Sequence, residues 1–211
     1  IIPEGEDVSV DVLLINTCGF IGDAKEESVQ AILEAVERKK QGTVGKVVVF
    51  GCLSQRYGNE LPELIPEVDA WYGARDFDPV VRELGVEPSK DNVSKRYLTT
   101  PSHYAYLKIS EGCDRRCSYC AIPFIRGAHK SVPIETLVAE AEHLAAKGVK
   151  ELIIIAQDTT WYGLDLYRRR ALAELLQRLS EVEGIEWIRI HYSYPAAFPE
   201  DVLDQMAENP K

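Results

Sequence analysis

The run Ser110-Glu111-Gly112-Cys113-Asp114-Arg115-Arg116-Cys117-Ser118-Tyr119-Cys120 carries three thiols in a C-x3-C-x2-C spacing. That spacing lets one short loop present three thiolates to a single metal centre and supplies no fourth. A cube of four irons and four sulfides has four iron corners. Three protein thiolates therefore leave one iron open to a small molecule, an arrangement suited to chemistry rather than to holding a fold together. Half of a zinc site is the competing reading. A structural zinc wants four ligands, and the nearest further candidate is His129, nine residues beyond Cys120 with Pro123 and Gly127 between. A disulfide inside the loop fits poorly. The chain has five cysteines, an odd count with no even framework, which suggests a reducing cytosol and metal ligation.

The other two cysteines stand apart. Cys18 follows the apolar run Val12-Leu13-Leu14-Ile15, and Cys52 follows Val47-Val48-Val49-Phe50. Runs of that length suit strands covered on both faces. Every cysteine group then lies just past the end of an expected parallel strand, the edge where open α/β sheets and β/α barrels place ligand sites. Gly19 and Gly51 beside these two cysteines allow close backbone approach. For Cys18 and Cys52 taken alone, a structural role and a ligand role both stay open.

The elements that would position these residues follow a βα rhythm. Between the first two strands, Asp23 reads as an N-cap with Glu26 completing a capping box. Val29, Ile32, Leu33 and Val36 recur at helical spacing, and Arg38-Lys39-Lys40 suits the C-terminal end. Gly42 and Gly45 end it. A short strand at Ala70-Trp71-Tyr72 and a helix from Pro79 to Leu84 follow. The polar stretch Pro88 to Ser94 reads as a linker. A second α/β run expects strands at 104–109, 151–156 and 187–191 and helices at 133–146, 171–179 and 198–206. The fold class is therefore α/β: a parallel βαβ domain over residues 1–90, then three βα units of a β/α barrel over 91–211.

Composition agrees with a packed protein: 45% of residues are hydrophobic and 27% charged. No apolar run approaches the ~20 residues of a membrane span, and no signal peptide opens the chain. Net charge is −10. Residues 1–90 hold 9 basic and 17 acidic side chains, a balance of −8, and the rest balance at −2. An acidic front half repels phosphates and argues against direct nucleic-acid binding by this portion.

The quoted motifs carry a resemblance. Glu111-Gly112-Cys113, Cys117-Ser118-Tyr119-Cys120, Ile122-Pro123 and Arg126-Gly127 resemble the cluster loop of radical S-adenosylmethionine enzymes, and more narrowly the methylthiotransferases. Asn16-Thr17-Cys18-Gly19-Phe20-Ile21 and Gly51-Cys52-Leu53-Ser54-Gln55-Arg56-Tyr57 resemble two of the three cysteine motifs of that family's N-terminal domain. Asp23-Ala24-Lys25-Glu26-Glu27-Ser28, Ala156-Gln157-Asp158-Thr159-Thr160, Tyr162-Gly163 and Asp165-Leu166-Tyr167 look like the branch that modifies a ribosomal protein. The tRNA-modifying branch and a non-enzymatic zinc module are the alternatives.

The resemblance implies two [4Fe–4S] clusters and S-adenosylmethionine. Cys113, Cys117 and Cys120 would hold one cluster, whose open iron chelates S-adenosylmethionine and delivers the electron that makes a 5′-deoxyadenosyl radical. Cys18 and Cys52, with one further cysteine, would hold the auxiliary cluster, whose sulfide becomes the methylthio group. The substrate implied is an aspartate β-carbon of a small-subunit ribosomal protein near the decoding centre, with an electron donor such as flavodoxin or ferredoxin, in the cytoplasm. Tyr119, Arg126, Gln157 and Asp158 are the candidate cosubstrate contacts. Tyr119 would pack on adenine or only within its loop, and Asp158 would reach the cosubstrate or only cap the next turn. Ile1 begins the sequence and Met206 is its single methionine. A longer protein is the expectation, with one more cysteine beside a glycine upstream, and the rest of the barrel and a TRAM domain after Lys211.

Overall fold

A computed structural model of the chain describes residues 8–88 and 96–211. The expected linker, apart from Pro88, lies outside the described residues. The described chain divides into two units: residues 8–88 with 124–126, and residues 96–123 with 127–211.

In the first unit, Val10–Thr17 (β1), Gly22–Lys40 (α1) and Val44–Gly51 (β2) form the βαβ unit. Short helices Cys52–Tyr57 (α2) and Leu61–Leu64 (α3) lead to Ala70–Tyr72 (β3) and Phe77–Glu83 (α4). The strands are parallel in the order β1-β2-β3. Central β2 buries Val47, Val48 and Val49 completely, as a continuous apolar run requires. Val12 to Ile15 are only half-buried, because β1 is the edge of this three-stranded sheet.

The start of α1 differs from expectation. Ile21 precedes the helix in extended conformation without a side-chain cap, and Asp23 sits inside the first turn. Ser28 takes over the fastening: its Oγ accepts from the Cys18 amide (3.0 Å) and donates to the Ala24 carbonyl (2.7 Å). Asp23 still favours the helix N-terminus electrostatically. Leu33, expected inward, is exposed, and Ala35 joins Ile32 and Val36 in the core. At about 100° per residue, Leu33 falls on the flank of the stripe that these three define.

The second unit carries parallel strands Tyr104–Lys108 (β4), Glu151–Ile155 (β7) and Trp187–Ile190 (β8), in the order β4-β7-β8. Between β4 and β7 lie Ser110–Glu111 (β5), Ile122–Arg126 (α5), Lys130–Ser131 (β6) and the helix Ile134–Ala146 (α6). After β7 come a 3₁₀ turn, Thr159–Trp161, and helices Leu164–Tyr167 (α7) and Leu172–Ser180 (α8); Glu200–Glu208 (α9) follows β8. Leu137, Ala141 and Leu144 of α6 and Leu172, Leu175 and Leu179 of α8 pack on Ala105, Leu107, Leu152 and Ile154. These are the three expected βα units, with strand bounds within one residue of the sequence reading and helix bounds within two. Among the described residues, no helix is long and apolar enough to cross a membrane.

One carboxylate fastens the first sheet. The Asp69 amide donates to the Val47 carbonyl (2.9 Å), and its side chain accepts from the Val47 amide (2.8 Å) and from Lys39 Nζ (2.6 Å). Partial burial pushes the Asp69 carboxyl up, but the Lys39 ammonium and the Val47 amide outweigh it and hold it below the usual carboxylate range. A depressed folded-state value contributes stability above the ordinary carboxylate pKa of about 3.9, and that contribution is lost as pH falls through the folded value. Asp69→Ala is expected to destabilise the full-length protein by about 1–3 kcal/mol at neutral pH. Denaturant titrations at decreasing pH should show the gap from the parent closing below the carboxylate range. A gap independent of pH would remove the carboxylate from the explanation.

Candidate metal centre

The cysteine loop is an excursion whose two ends are stitched together. Ile109 accepts from the Val132 amide (2.9 Å). Then β5 and β6 pair antiparallel, Ser110 with Ser131 and Glu111 with Lys130. Beyond them, the Cys113 amide donates to the Gly127 carbonyl (3.0 Å) and the His129 amide to Asp114 Oδ1 (3.1 Å). Gly112 makes this neck possible. Its φ is +77°, and a Cβ there would stand 2.2 Å from the Ala128 carbonyl oxygen. Two-residue strands leave no periodic signal, so the sequence could not announce this ladder.

The return strand is pinned from the segment after β7. Asp165 accepts from the Ser131 amide (2.8 Å) and hydroxyl (2.6 Å). Burial pushes the Asp165 carboxyl up, yet these Ser131 bonds and nearby His129 bring it below the usual range. Tyr162, fully buried, donates its hydroxyl to the Val132 carbonyl (2.6 Å), and the Tyr167 hydroxyl accepts from the Ile134 amide (3.0 Å). The motifs Tyr162-Gly163 and Asp165-Leu166-Tyr167 thus have a structural role: they fasten the strand that closes the cysteine loop. His129, the possible fourth zinc ligand, is buried with Nε2 3.1 Å from Ser131 Oγ. Ser131 gives its proton to Asp165, so His129 Nε2–H is the donor.

Within the loop, the Cys120 amide donates to the Cys117 carbonyl (3.0 Å), a turn that draws the last two cysteines together. Burial raises the Cys113 thiol, and the charges of Asp158 and Cys120 raise it further against the pull of the Arg115 amide and guanidinium. All five cysteines are free, and no three His, Cys, Asp or Glu side chains among the described residues stand together as a ready metal-binding group. The structure thus sets Cys113, Cys117 and Cys120 on one fastened loop without gathering their thiols, and the three soft donors of that loop suit an iron–sulfur cluster by their chemistry.

Of the candidate cosubstrate contacts, Gln157 donates Nε2 to Glu111 Oε1 (3.1 Å), while its buried Oε1 lacks a hydrogen-bond partner among the described residues. Buried Ser110 Oγ is likewise unpartnered. Unsatisfied polar atoms at the C-terminal rim of β4 and β7 suit a polar ligand. Tyr119 is 86% exposed, so it does not pack within its loop. Asp158 caps the 3₁₀ turn through Thr160 and pairs with Arg115. Sequence reasoning overlooked Arg115; its position between Cys113 and Cys117 was the available signal.

In the first unit, Thr17 and Gly51 are register partners, so Cys18 and Cys52 follow level ends of neighbouring strands. A Cβ on Gly51 (φ +114°) would lie 2.6 Å from the Thr17 carbonyl oxygen, and one on Gly19 2.7 Å from Leu53 Cα. The glycines permit the two chain turns to touch. Arg126, grouped with this unit, has Nη2 3.1 Å from Cys52 Sγ.

Comparison with known proteins decides the family. The radical SAM superfamily profile matches residues 107–211, and the profile described as uncharacterized protein family UPF0004 matches residues 4–73. The chain is 58% identical over 95% of its length to the ribosomal protein uS12 methylthiotransferase RimO of Christiangramia forsetii, covering 45% of that protein. It is 56% identical over 95% of its length to the RimO proteins of Flavobacterium johnsoniae and Porphyromonas gingivalis, covering 46% of each. The chain belongs to the radical SAM methylthiotransferase family. It spans about half the length of the curated relatives it matches. Among solved structures, the radical S-adenosylmethionine methyltransferase TsrM of Kitasatospora setae aligns with a TM-score of 0.60 at 13% identity, covering 95% of this chain and 48% of that one. The cobalamin-dependent radical enzyme OxsB aligns at 0.52 and 12%, covering 84% and 30%. At such identities the likeness concerns fold alone.

The methylthiotransferase loop depends on its neck. Gly112→Ala should destabilise the full-length protein by at least about 2 kcal/mol, from left-handed strain and steric overlap together, and should lower iron retained after anaerobic reconstitution. Thermal unfolding and iron analysis check this; parental values for both would mean that the neck is dispensable.

Proposed function

We propose that this chain carries two cysteine sites of a methylthiotransferase that adds a methylthio group to the β-carbon of an aspartate in ribosomal protein uS12, near the decoding centre. The observation that carries the reading is the fastened three-cysteine loop at the C-terminal edge of a parallel sheet, in a chain more than half identical to uS12 methylthiotransferases over nearly its whole length. Cys113, Cys117 and Cys120 hold the cluster that binds S-adenosylmethionine. Cys18 and Cys52 contribute to the auxiliary cluster. Bound there, the clusters and S-adenosylmethionine supply an electron, a hydrogen-abstracting group and the methylated sulfur that replaces the abstracted hydrogen.

The chain's own residues position and shield. The loop neck fixes where the thiols stand, and Tyr162 with Asp165 keeps the return strand dry and in register. Gln157 Oε1 and Ser110 Oγ offer hydrogen bonds to the polar portion of the cosubstrate. Gly19 and Gly51 hold the turns bearing Cys18 and Cys52 together. Flavodoxin or ferredoxin would supply electrons in the cytoplasm.

The test uses full-length protein, reconstituted anaerobically with iron and sulfide and given S-adenosylmethionine, reductant, uS12 and tRNA in separate reactions. The expectation is brown protein, 5′-deoxyadenosine as a product, and mass spectrometry placing a methylthio group on one uS12 aspartate. Cys113→Ala should abolish both products. Cys52→Ala should abolish methylthiolation while 5′-deoxyadenosine still forms. Methylthiolated tRNA with untouched uS12 would move the enzyme to the other branch, and colourless protein retaining zinc would overturn the cluster reading.

A further inference from the structure

We propose that Arg115 is a positioning residue that holds the cysteine loop in place, and that Asp158 is its anchor rather than a contact to the cosubstrate. The inference rests on the reading of the loop as a cluster site. Arg115 lies between Cys113 and Cys117, yet its side chain turns away from solvent and is 17% exposed; the adjacent Arg116 is exposed. Its Nε donates to Asp158 Oδ2 at 2.5 Å and its Nη2 to Thr160 Oγ1 at 3.3 Å. The guanidinium carbon sits 3.7 Å from the Tyr194 ring centroid and 4.7 Å from that of Trp161. A planar cation lying over two aromatic rings and held by a carboxylate and a hydroxyl has little freedom to reorient.

The anchor is itself rigid. Asp158 Oδ1 accepts from the Thr160 amide (3.0 Å) and hydroxyl (2.7 Å), while Oδ2 faces Arg115, and the Asp158 side chain is 3% exposed. Both carboxylate oxygens are engaged, so a cosubstrate would have to displace an existing bond. Thr159 then ties this turn to the segment after β8: its amide donates to the Tyr192 carbonyl (3.2 Å), and its hydroxyl bonds Ser193 Oγ (2.8 Å). That segment carries Tyr194. The ends of two strands, β7 and β8, thus build one socket for a side chain from the cysteine loop. The neck holds the base of the loop, and Arg115 holds the span between two thiols. Lysine would keep the charge but lose the fork and the stacking.

The experiment uses full-length protein with Cys18→Ala and Cys52→Ala, so that the loop cluster alone is read. Arg115→Met, Asp158→Asn, their combination and Arg115→Lys are reconstituted anaerobically. Iron per protein and the electron paramagnetic resonance spectrum of the reduced cluster are recorded before and after adding S-adenosylmethionine. The expected result is a fall in retained cluster of about 10-fold for Arg115→Met and for Asp158→Asn. Both should show the same altered spectrum before S-adenosylmethionine is added, the double variant should be no worse than either single, and Arg115→Lys should be intermediate. Asp158→Asn with parental iron and spectrum but a weakened response to S-adenosylmethionine would make Asp158 a cosubstrate contact and overturn the proposal. Arg115→Met indistinguishable from the parent would also overturn it. Should a truncated variant fail to fold, Arg115→Lys decides: parental retention and spectrum refute the socket. A parent that holds no iron would instead overturn the reading of the loop itself.

Discussion

Three thiols on one excursion gain little from the hydrophobic core, so the loop that carries them has to be held from outside. The neck of the loop holds it. Gly112, at positive φ and against the Ala128 carbonyl, lets strand β5 turn directly into the cysteine run, while the Ile109–Val132 bond and the Cys113–Gly127 bond clamp the two ends. Closing the excursion at its base shortens the loop whose entropy must be overcome when the thiols are gathered. The remainder of the second unit acts on this constraint. Tyr162, Asp165 and Tyr167 hold the return strand, and the two tyrosines pack in the same core as the buried leucines of α8.

The same physical device serves the first unit with different parts. Parallel strands that begin in register finish in register, so Thr17 and Gly51 deliver Cys18 and Cys52 to one sheet edge. Side chains at these turns would force the backbones apart, and glycine is the residue that avoids it. Ser28, from the helix, then accepts from the Cys18 amide, fixing the turn that presents it. In both units a cysteine is presented by a glycine-permitted turn and steadied by a buried hydroxyl or carboxylate from a neighbouring element. A metal site needs this shell because ligand orientation, as well as ligand identity, sets its affinity.

Charge is distributed to match. In the first unit, Asp23, Glu26, Glu27, Glu34 and Glu37 stand exposed on α1, where like charge disfavours association. Near the cysteine loop the acidic groups are paired or hydrogen-bonded inward: Asp158 with Arg115, Asp165 with Ser131, Asp114 with the His129 amide. This limits the unpaired negative charge beside the thiols.

Much of this was legible in the chain alone. Apolar runs located each long strand, because a central parallel strand such as β2 or β7 is buried on both faces and leaves no other pattern. The C-x3-C-x2-C spacing placed three thiols on one short loop, since spacing along a loop is a local property. The start of α1 was misplaced, because the Ser28–Cys18 bond that sets it joins groups ten residues apart. The β5–β6 neck, Arg115 in its aromatic socket, and the pinning of Ser131 by Asp165 belonged to the tertiary structure alone. Each joins residues too distant in sequence, or in strands too short, to leave a period. Residue types and their order determined which chemistry the chain is equipped for; only the folded arrangement decided which side chains hold the thiols still, because hydrogen-bond partners are chosen by proximity in space.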